Sequence, residues 1–288
     1  MEHLANGGNV VTLRRFVADF PREMPAELPP STVCACILDT ETTGVEAGDP
    51  VIEVAVLPFL FDAADGKILV VLPALGGLQD PGFPIPAEAS KVNGIFDDDV
   101  KGKTIAWGAI AQMMAACDII IAHNAGFDRP KVSREIASRA DEIGGDIVDK
   151  ANAVIWACSL QQLPWEGMPA RRQEILAAWH GFFYAAHRAT EDCEALLHLL
   201  DVSCNLAPLW QASQRPSYEV WAVGSAFATK DMIKARGYRW YADQKTWVRA
   251  FDSIEGVEEE RGWLAQNVYG RANNPAEVRK IEPQSRFR

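Results

Sequence analysis

No stretch of this 288-residue chain approaches the roughly 18 consecutive apolar residues that a membrane-spanning helix requires, and no membrane partner is expected. The N-terminus, MEHLANGGNVVTLRRF, lacks a cationic start followed by an apolar run, so no secretory signal is read and a cytoplasmic location is expected. Cysteine is sparse and unpaired in spacing. Cys34 and Cys36 form a C-x-C with no matching second pair, which argues against a zinc site and for free thiols in a reducing compartment. An excess of basic charge is also missing: 28 Lys+Arg face 39 Asp+Glu, a net charge of −11, which argues against a simple basic nucleic-acid binder. There is no internal repeat.

The acidic excess is unevenly placed. From Arg215 onward 13 Lys+Arg stand against 10 Asp+Glu, leaving 15 against 29 for everything before it. An acidic front and a mildly basic back suggest two modules. Residues 1–30 read as a tail and linker, a short amphipathic piece (VVTLRRFVADF) followed by the proline-rich PREMPAELPP. Apolar runs at 33–38, 50–60 and 66–75 predict three strands, and the turn-rich segment after them predicts a loop with one short helix. A helix over 105–117, a strand over 118–124, a helix over 127–143 with Pro130 in its first turn, and a strand over 151–160 follow. Two more helices are expected near 170–180 and 190–203. This order predicts an α/β domain over 31–210 whose mixed sheet has three antiparallel strands and then parallel ones, flanked by helices.

The pattern changes after NLAPLWQASQRPS. A small α+β module is expected over 216–272, with a strand at 218–223, a helix at 226–237 ended by Gly237, a hairpin at 238–251 turning at Ala242–Lys245, and a polar helix near 253–269. Residues 273–288 read as a basic tail.

Within the first domain, CILDTETTG ends a buried strand on two acids. Asp39 and Glu41 are two apart, so they share one face of the strand. Two neighbouring carboxylates repel and are costly to desolvate unless a cation sits between them. Asp128, in IIIAHNAGFD, lies just past the next parallel strand at a helix start. His187 and Asp192, in AHRATEDCEALLHLL, stand at the head of an apolar helix. Taken singly, each acid has an ordinary explanation: a solvated turn, a helix N-cap or first-turn dipole dressing. Together they sit at element ends, where ligands of α/β sheets gather. Convergent carboxylates suit Mg²⁺ or Mn²⁺. Two such ions about 3.5–4 Å apart can hold the attacking and leaving oxygens of a phosphodiester. A histidine, with an ordinary pKa of about 6.5, can take the water's proton.

DTETTG, HNAGFD and the H-x4-D of HRATED, in that order, resemble the three motifs of the DEDDh 3′→5′ exonucleases, the family of the epsilon subunit of bacterial DNA polymerase III and of ribonuclease T. The resemblance covers roughly 33–203. KVNGI is similar to a family loop that usually reads V-H-G-I, with Asn93 in place of the histidine. The resemblance implies a ribonuclease H-like fold. It implies two divalent cations on Asp39, Glu41, Asp192 and Asp128, with His187 as general base. It further implies that Thr42 contacts the terminal nucleotide and that Asn124 and Phe127 line the cleft.

The function it implies is metal-dependent release of nucleoside 5′-monophosphates from the 3′ end of DNA, in proofreading, repair or trimming, alone or with a polymerase or repair partner. Trimming of RNA is the alternative in the same chemistry, since contacts to a 2′-OH leave no motif. A non-catalytic nucleic-acid-binding scaffold is the alternative of another class. His123 and His180 are read as packing and helix-end residues, the DDD of 97–99 as a loop, and QQLPWEGM as a loop with a faint likeness to a sliding-clamp peptide. In the C-terminal module Lys230, Lys234, Arg236, Arg239 and Lys245 alternate with aromatics including Trp240. Two readings stand there: bases stack on the aromatics while the cations hold phosphates, or Trp240 and Trp247 are simply the core of a small domain.

Overall fold

A computed structural model describes residues 3–6, 9–270 and 274–288 of the chain. It divides into two compact units, Met1–Ser213 with Phe287–Arg288, and Gln214–Arg286. None of the described helices is long and apolar enough to cross a membrane.

The first unit is built on β1 (Thr32–Thr42), β2 (Val51–Asp62), β3 (Ile68–Val71) and β4 (Leu75–Leu78), then α1 (Ala87–Asn93), α2 (Trp107–Ala116), β5 (Ile119–Ala122), α3 (Ala125–Ala137), α4 (Gly145–Ala153), β6 (Ile155–Cys158), α5 (Gln173–Trp179), α6 (Ala189–Val202) and α7 (Leu206–Ser213). The sheet order is β3-β2-β1-β5-β6, with β4 also on β2. β2 runs antiparallel to β1, β3 and β4, while β1, β5 and β6 are parallel. This is the mixed α/β sheet expected. β1 is buried on both faces because its alternate residues serve two cores: Val33, Ala35 and Ile37 pack with α6 and α7, and Cys36 and Leu38 pack with α2, α3 and α4. The alternation continues past the core, so Asp39 and Glu41 emerge on the α6 face and Thr40 on the α3 face.

Several local expectations are corrected. The third strand splits into β3 and β4 around residues 72–74. Helix α3 starts at Ala125, where Asn124 takes a left-handed φ of 89°, so Pro130 lies in the second turn. Residues 151–153 end helix α4 rather than open β6, because Ala151 is buried on a helical face. NLAPLWQAS, for which no element was read, forms a helix: α7 buries Leu206 and Leu209, and Trp210 meets Phe61 edge-on at 6.3 Å. Not all of residues 13–30 are a free linker. Arg14–Arg15 pair with Phe182–Phe183, Phe16 stacks on His198 at 4.9 Å, Phe20 is buried, and the Val71 amide donates to the Pro21 carbonyl at 2.8 Å. The cysteines are free thiols; four are buried, Cys34 is half-buried and Cys204 is exposed.

The second unit is a four-stranded antiparallel sheet with helices. Its strands are β7 (Ser217–Trp221), β8 (Arg239–Tyr241), β9 (Thr246–Phe251) and β10 (Glu277–Ile281), in the order β8-β9-β7-β10. Its helices are α8 (Lys230–Ala235) and α9 (Ile254–Asn267). The segment expected as a basic tail supplies β10, an edge strand paired with β7 from Ser217↔Ile281 to Trp221↔Glu277. Its core is Val220, Ala222, Ile233, Tyr238, Val257, Leu264 and Ala276, with Trp247 partly buried against it.

Leu209 is fully buried in the first unit's core. Leu209→Ala is therefore expected to destabilise that unit by about 2–5 kcal/mol, read as a shift of urea unfolding to lower concentration. A change within experimental error would contradict the place of α7 in that core.

Candidate active site

The site forms where β1 leaves the core. Asp39 and Glu41 share the α6 face, and the register then shifts between Glu41 and Thr42. Such an irregularity bends the strand and ends regular pairing. Helix α6 crosses this face and presents Asp192 from its first turn. Ligand oxygens of Asp39, Glu41 and Asp192 all lie within 4.8 Å of one another.

The Asp192 carboxylate is held by its surroundings. Tyr184 Oη donates to Oδ1 at 2.8 Å and the Arg188 amide donates to Oδ2 at 3.0 Å. Gln173 Nε2 donates to the Asp192 carbonyl at 2.9 Å.

Asp128 arrives from the other side of the sheet, on the first turn of α3, and is only 2% exposed. Thr40 Oγ1 donates to its Oδ1 at 2.7 Å. It stands beside the three-carboxylate group without belonging to it, yet its charge acts strongly on Asp39.

The electrostatics follow from this crowding. Burial and then the charges of Asp128, Asp192, Glu41 and Glu53 push Asp39 well above the ordinary aspartate range. Glu41 is pushed up to about 8, by burial first and by Asp192 next. Burial lifts Asp128 to about 7 against the opposing hydrogen bonds from Thr40, and it lifts Asp192 as well. The neighbouring cations are engaged elsewhere. Lys131 Nζ donates to the Glu46 carbonyl at 2.6 Å and lies 4.7 Å from the Phe127 ring. Arg188 is paired with Glu53. A set of hard, mutually repelling, partly desolvated oxygens with no lysine or arginine among them fits a divalent cation.

His187 is not one of the three clustered ligands, though its charge acts on Asp192. Its Nε2 is 3.6 Å from Glu174 Oε1, its side chain is about half exposed (48%), and its backbone is left-handed at φ 70°. Thr42 is buried and donates from Oγ1 to the Gly44 carbonyl at 2.5 Å. Asn93 stands close by, its Nδ2 donating to the Thr42 carbonyl at 3.4 Å while its Oδ1 accepts from the Ile95 amide. Asn124 is exposed at the head of α3, and Phe127 lies one turn on.

His123 bridges Ser159 Oγ and the Arg171 carbonyl, each at 2.8 Å, and His180 ends α5. In the QQLPWEGM segment Leu163 and Trp165 are buried, and Trp165 Nε1 donates to the Ser159 carbonyl, so no clamp peptide is displayed. The DDD is not a loop but the first turn of a short helix, Asp97–Val100, in which Asp99 accepts from the Phe96 amide while Asp97 reaches back to the Ile85 amide. A cavity of about 520 Å³ between Ile85, Lys91, Phe96 and Asp98 includes none of the clustered carboxylates.

One acid escaped the sequence reading. Glu53 sits in the apolar run VIEVAV of β2, directly opposite Glu41 in the register. Its only sequence signal is its alignment with Glu41 once the pairing is known.

In the second unit the basic residues divide. Arg236 is committed to Glu260 at 3.2 Å, beside Arg249 at 2.8 Å, and lies over Trp263. Lys230 lies 4.3 Å from the Phe227 ring. Lys234, Arg239 and Lys245 are exposed. Trp240 is 51% exposed and touches Trp247 edge-on, so it is not a core residue.

Residues 36–200 match the sequence model of the RNase_T family, described as Exonuclease, over more than half of the chain. The PolC-type DNA polymerase III of Listeria innocua is 30% identical over 169 residues, 57% of this chain and 11% of that protein. The Listeria monocytogenes PolC-type enzyme matches over the same shares at 30% identity. The match thus spans about a tenth of the length of these curated relatives. Among solved structures, the zinc-bound form of the E. coli ExoI–ssDNA complex is 15% identical with a TM-score of 0.49, covering 88% of this chain and 64% of that one. Exonuclease X in complex with 5′-overhanging duplex DNA is 20% identical with a TM-score of 0.42, covering 61% and 98%.

Raised carboxyl pKa values fix the sign of a pH effect. Between 4.5 and about 8 the folded chain holds a proton on Glu41 that the unfolded chain has released, and Asp128 behaves alike from 3.8 to about 7. Metal-free stability therefore falls as pH rises through this window. Thermal unfolding in EDTA is expected to show Tm dropping from pH 5 to 8. Added Mn²⁺ should raise Tm more at pH 8 than at pH 5, because protons and metal compete for the same oxygens. A Mn²⁺ effect independent of pH would contradict this.

Proposed function

Because the chain belongs to the exonuclease family, as a DEDDh-type 3′→5′ exonuclease and hence a hydrolase, we propose that it removes nucleoside 5′-monophosphates from the 3′ end of DNA with two divalent cations, Mg²⁺ or Mn²⁺. The observation that carries the reading is the convergence of Asp39, Glu41 and Asp192 within 4.8 Å, inside the matched region. These three residues and Asp128 would hold the cations. When bound, such ions lower the pKa of a water and neutralise charge on the scissile phosphate. The chain's own residues do the rest.

His187 takes the proton of the attacking water. Its place on an exposed loop gives it reach, and the Glu174 carboxylate beside it steadies the imidazolium that results. Tyr184 and the Arg188 amide keep Asp192 oriented, as outer-shell hydrogen bonds orient metal ligands generally. Thr42, Asn124 and Phe127 line the path of the terminal nucleotide, and Asn93 braces the Thr42 backbone. DNA is preferred to RNA as substrate because the curated relatives are DNA polymerases. That likeness also supports work at ends left by synthesis or repair, alone or beside a polymerase.

Grip on the strand away from the chemistry falls to the second unit. Lys230, Lys234, Arg239 and Lys245 have no carboxylate partner within its described residues, and Trp240 is open for stacking on a base. Arg236 is left out of this set, since Glu260 holds it.

The deciding assay follows 3′-labelled single-stranded DNA, duplex DNA and RNA in Mg²⁺, Mn²⁺ or EDTA. Stepwise mononucleotide release is expected, faster on DNA, abolished by EDTA and by Asp39→Ala. His187→Ala is expected to lower kcat by roughly 10²–10⁴-fold. Faster release from RNA would move the substrate to RNA, and no release from any substrate by folded protein would favour a binding scaffold. In the full chain, Arg239→Ala/Trp240→Ala/Lys245→Ala is expected to weaken single-strand binding by about tenfold or more while single-turnover rate at saturation stays unchanged. Unchanged affinity would remove the second unit from substrate binding.

A further inference from the structure

Glu53, unlike Asp39, Glu41 and Asp192, is paired with an arginine among the described residues. It is 7% exposed, between the fully buried Ile52 and Val54 of β2. A carboxylate so placed, directly opposite Glu41, adds to the repulsion of the cluster unless it is fully bonded. It is fully bonded, and entirely to the start of α6. Arg188 Nη2 donates to Oε1 at 2.9 Å, and Arg188 Nε lies 3.2–3.3 Å from both oxygens. The amide of Ala189, the first residue of the helix, donates to Oε2 at 3.1 Å. Arg188, at the N-cap position, has no side-chain cap of its own. Glu53 thus does from a neighbouring strand what a capping serine or aspartate does locally.

The consequences run to both flanking residues. The Arg188 amide is the one that donates to Asp192 Oδ2, and His187 immediately precedes it in a left-handed conformation. Fixing residues 188 and 189 therefore fixes where Asp192 and His187 stand. The same pairing also occupies the guanidinium. Arg188 is the cation whose charge reaches Glu41. Released, it would be an internal competitor for the cluster.

We propose that Glu53 is a positioning residue. It pins the start of α6, and with it Asp192 and His187, and it holds the Arg188 guanidinium out of the carboxylate cluster. The proposal rests on the reading of Asp39, Glu41 and Asp192 as metal ligands.

The test compares Glu53→Gln, Arg188→Ala and the double variant in the full chain. It reads the Mn²⁺ concentration at half-maximal thermal stabilisation, and kcat and KM on single-stranded DNA. Glu53→Gln is expected to raise the Mn²⁺ midpoint about tenfold, and to lower kcat about tenfold or more with KM within threefold. In the double variant the competing cation is gone but the pin is still lost, so the Mn²⁺ midpoint falls part of the way back toward the wild type while kcat stays low. A role confined to stability would lower Tm and leave the Mn²⁺ midpoint and kcat of the folded fraction unmoved. That result overturns the proposal, as does a double variant with the same midpoint shift as Glu53→Gln. If Glu53→Gln does not fold, Arg188→Ala decides: kcat reduced about tenfold with an unraised Mn²⁺ midpoint supports the pinning role, and wild-type kcat overturns it. A wild-type protein that Mn²⁺ does not stabilise would instead refute the metal-ligand reading, and this proposal with it.

Discussion

The site is organised by a repulsion. Asp39, Glu41 and Asp192 hold oxygens within 4.8 Å of one another, with Asp128 and Glu53 alongside, in surroundings that strip away much of their water. Isolated buried carboxylates answer such crowding by taking up protons, which is the direction in which four of these acids are displaced. The fold denies them an easier remedy. Lys131 is turned onto the Glu46 carbonyl and the Phe127 ring, and Arg188 is bound to Glu53. What the chain withholds, a divalent cation can supply. Tyr184, Gln173, Thr40 and the Arg188 amide then read as a scaffold that keeps the acids aimed at one place while they are still unfavourable to one another.

This constraint explains why β1 is long and buried on both faces. A strand packed between two cores cannot shift by one residue without turning Asp39 and Glu41 to the wrong side. It also explains why Asp192 comes from the first turn of a helix packed on that face, where the apolar residues Cys193, Leu196, Leu197 and Leu200 lock the helix to the sheet. Precision at the strand end is derived from packing in the core.

The strand types and the convergence of three acids were legible in the sequence because each rests on local pattern: the continuous apolar run of β1, element ends marked by Asn124 and by the polar head of α6. What was not legible depends on partners far away in the chain. Glu53 hides in VIEVAV, where hydrophobic pattern gives no hint that the strand beside it carries Glu41. Helix α7 contains Pro208 and polar residues, so the sequence shows there only a change of pattern, and Leu206, Leu209 and Trp210 meeting the core reveal the helix. The strand Glu277–Ile281 looks like a basic tail until its pairing with Ser217–Trp221 is seen. Arg236 reads as a free cation in sequence, yet Glu260, 24 residues on, binds it. Trp240 and Trp247 looked alike on paired strands, but only Trp247 packs against the core.

The central claim is that the carboxylates of Asp39, Glu41 and Asp192 form a cation site left open by the chain's own basic residues. Anomalous diffraction from a crystal grown with Mn²⁺ tests it most directly. The account predicts an anomalous peak bound by all three carboxylates, with Arg188 still on Glu53. A crystal with no peak there, or with the Arg188 guanidinium seated among the three acids, would contradict it.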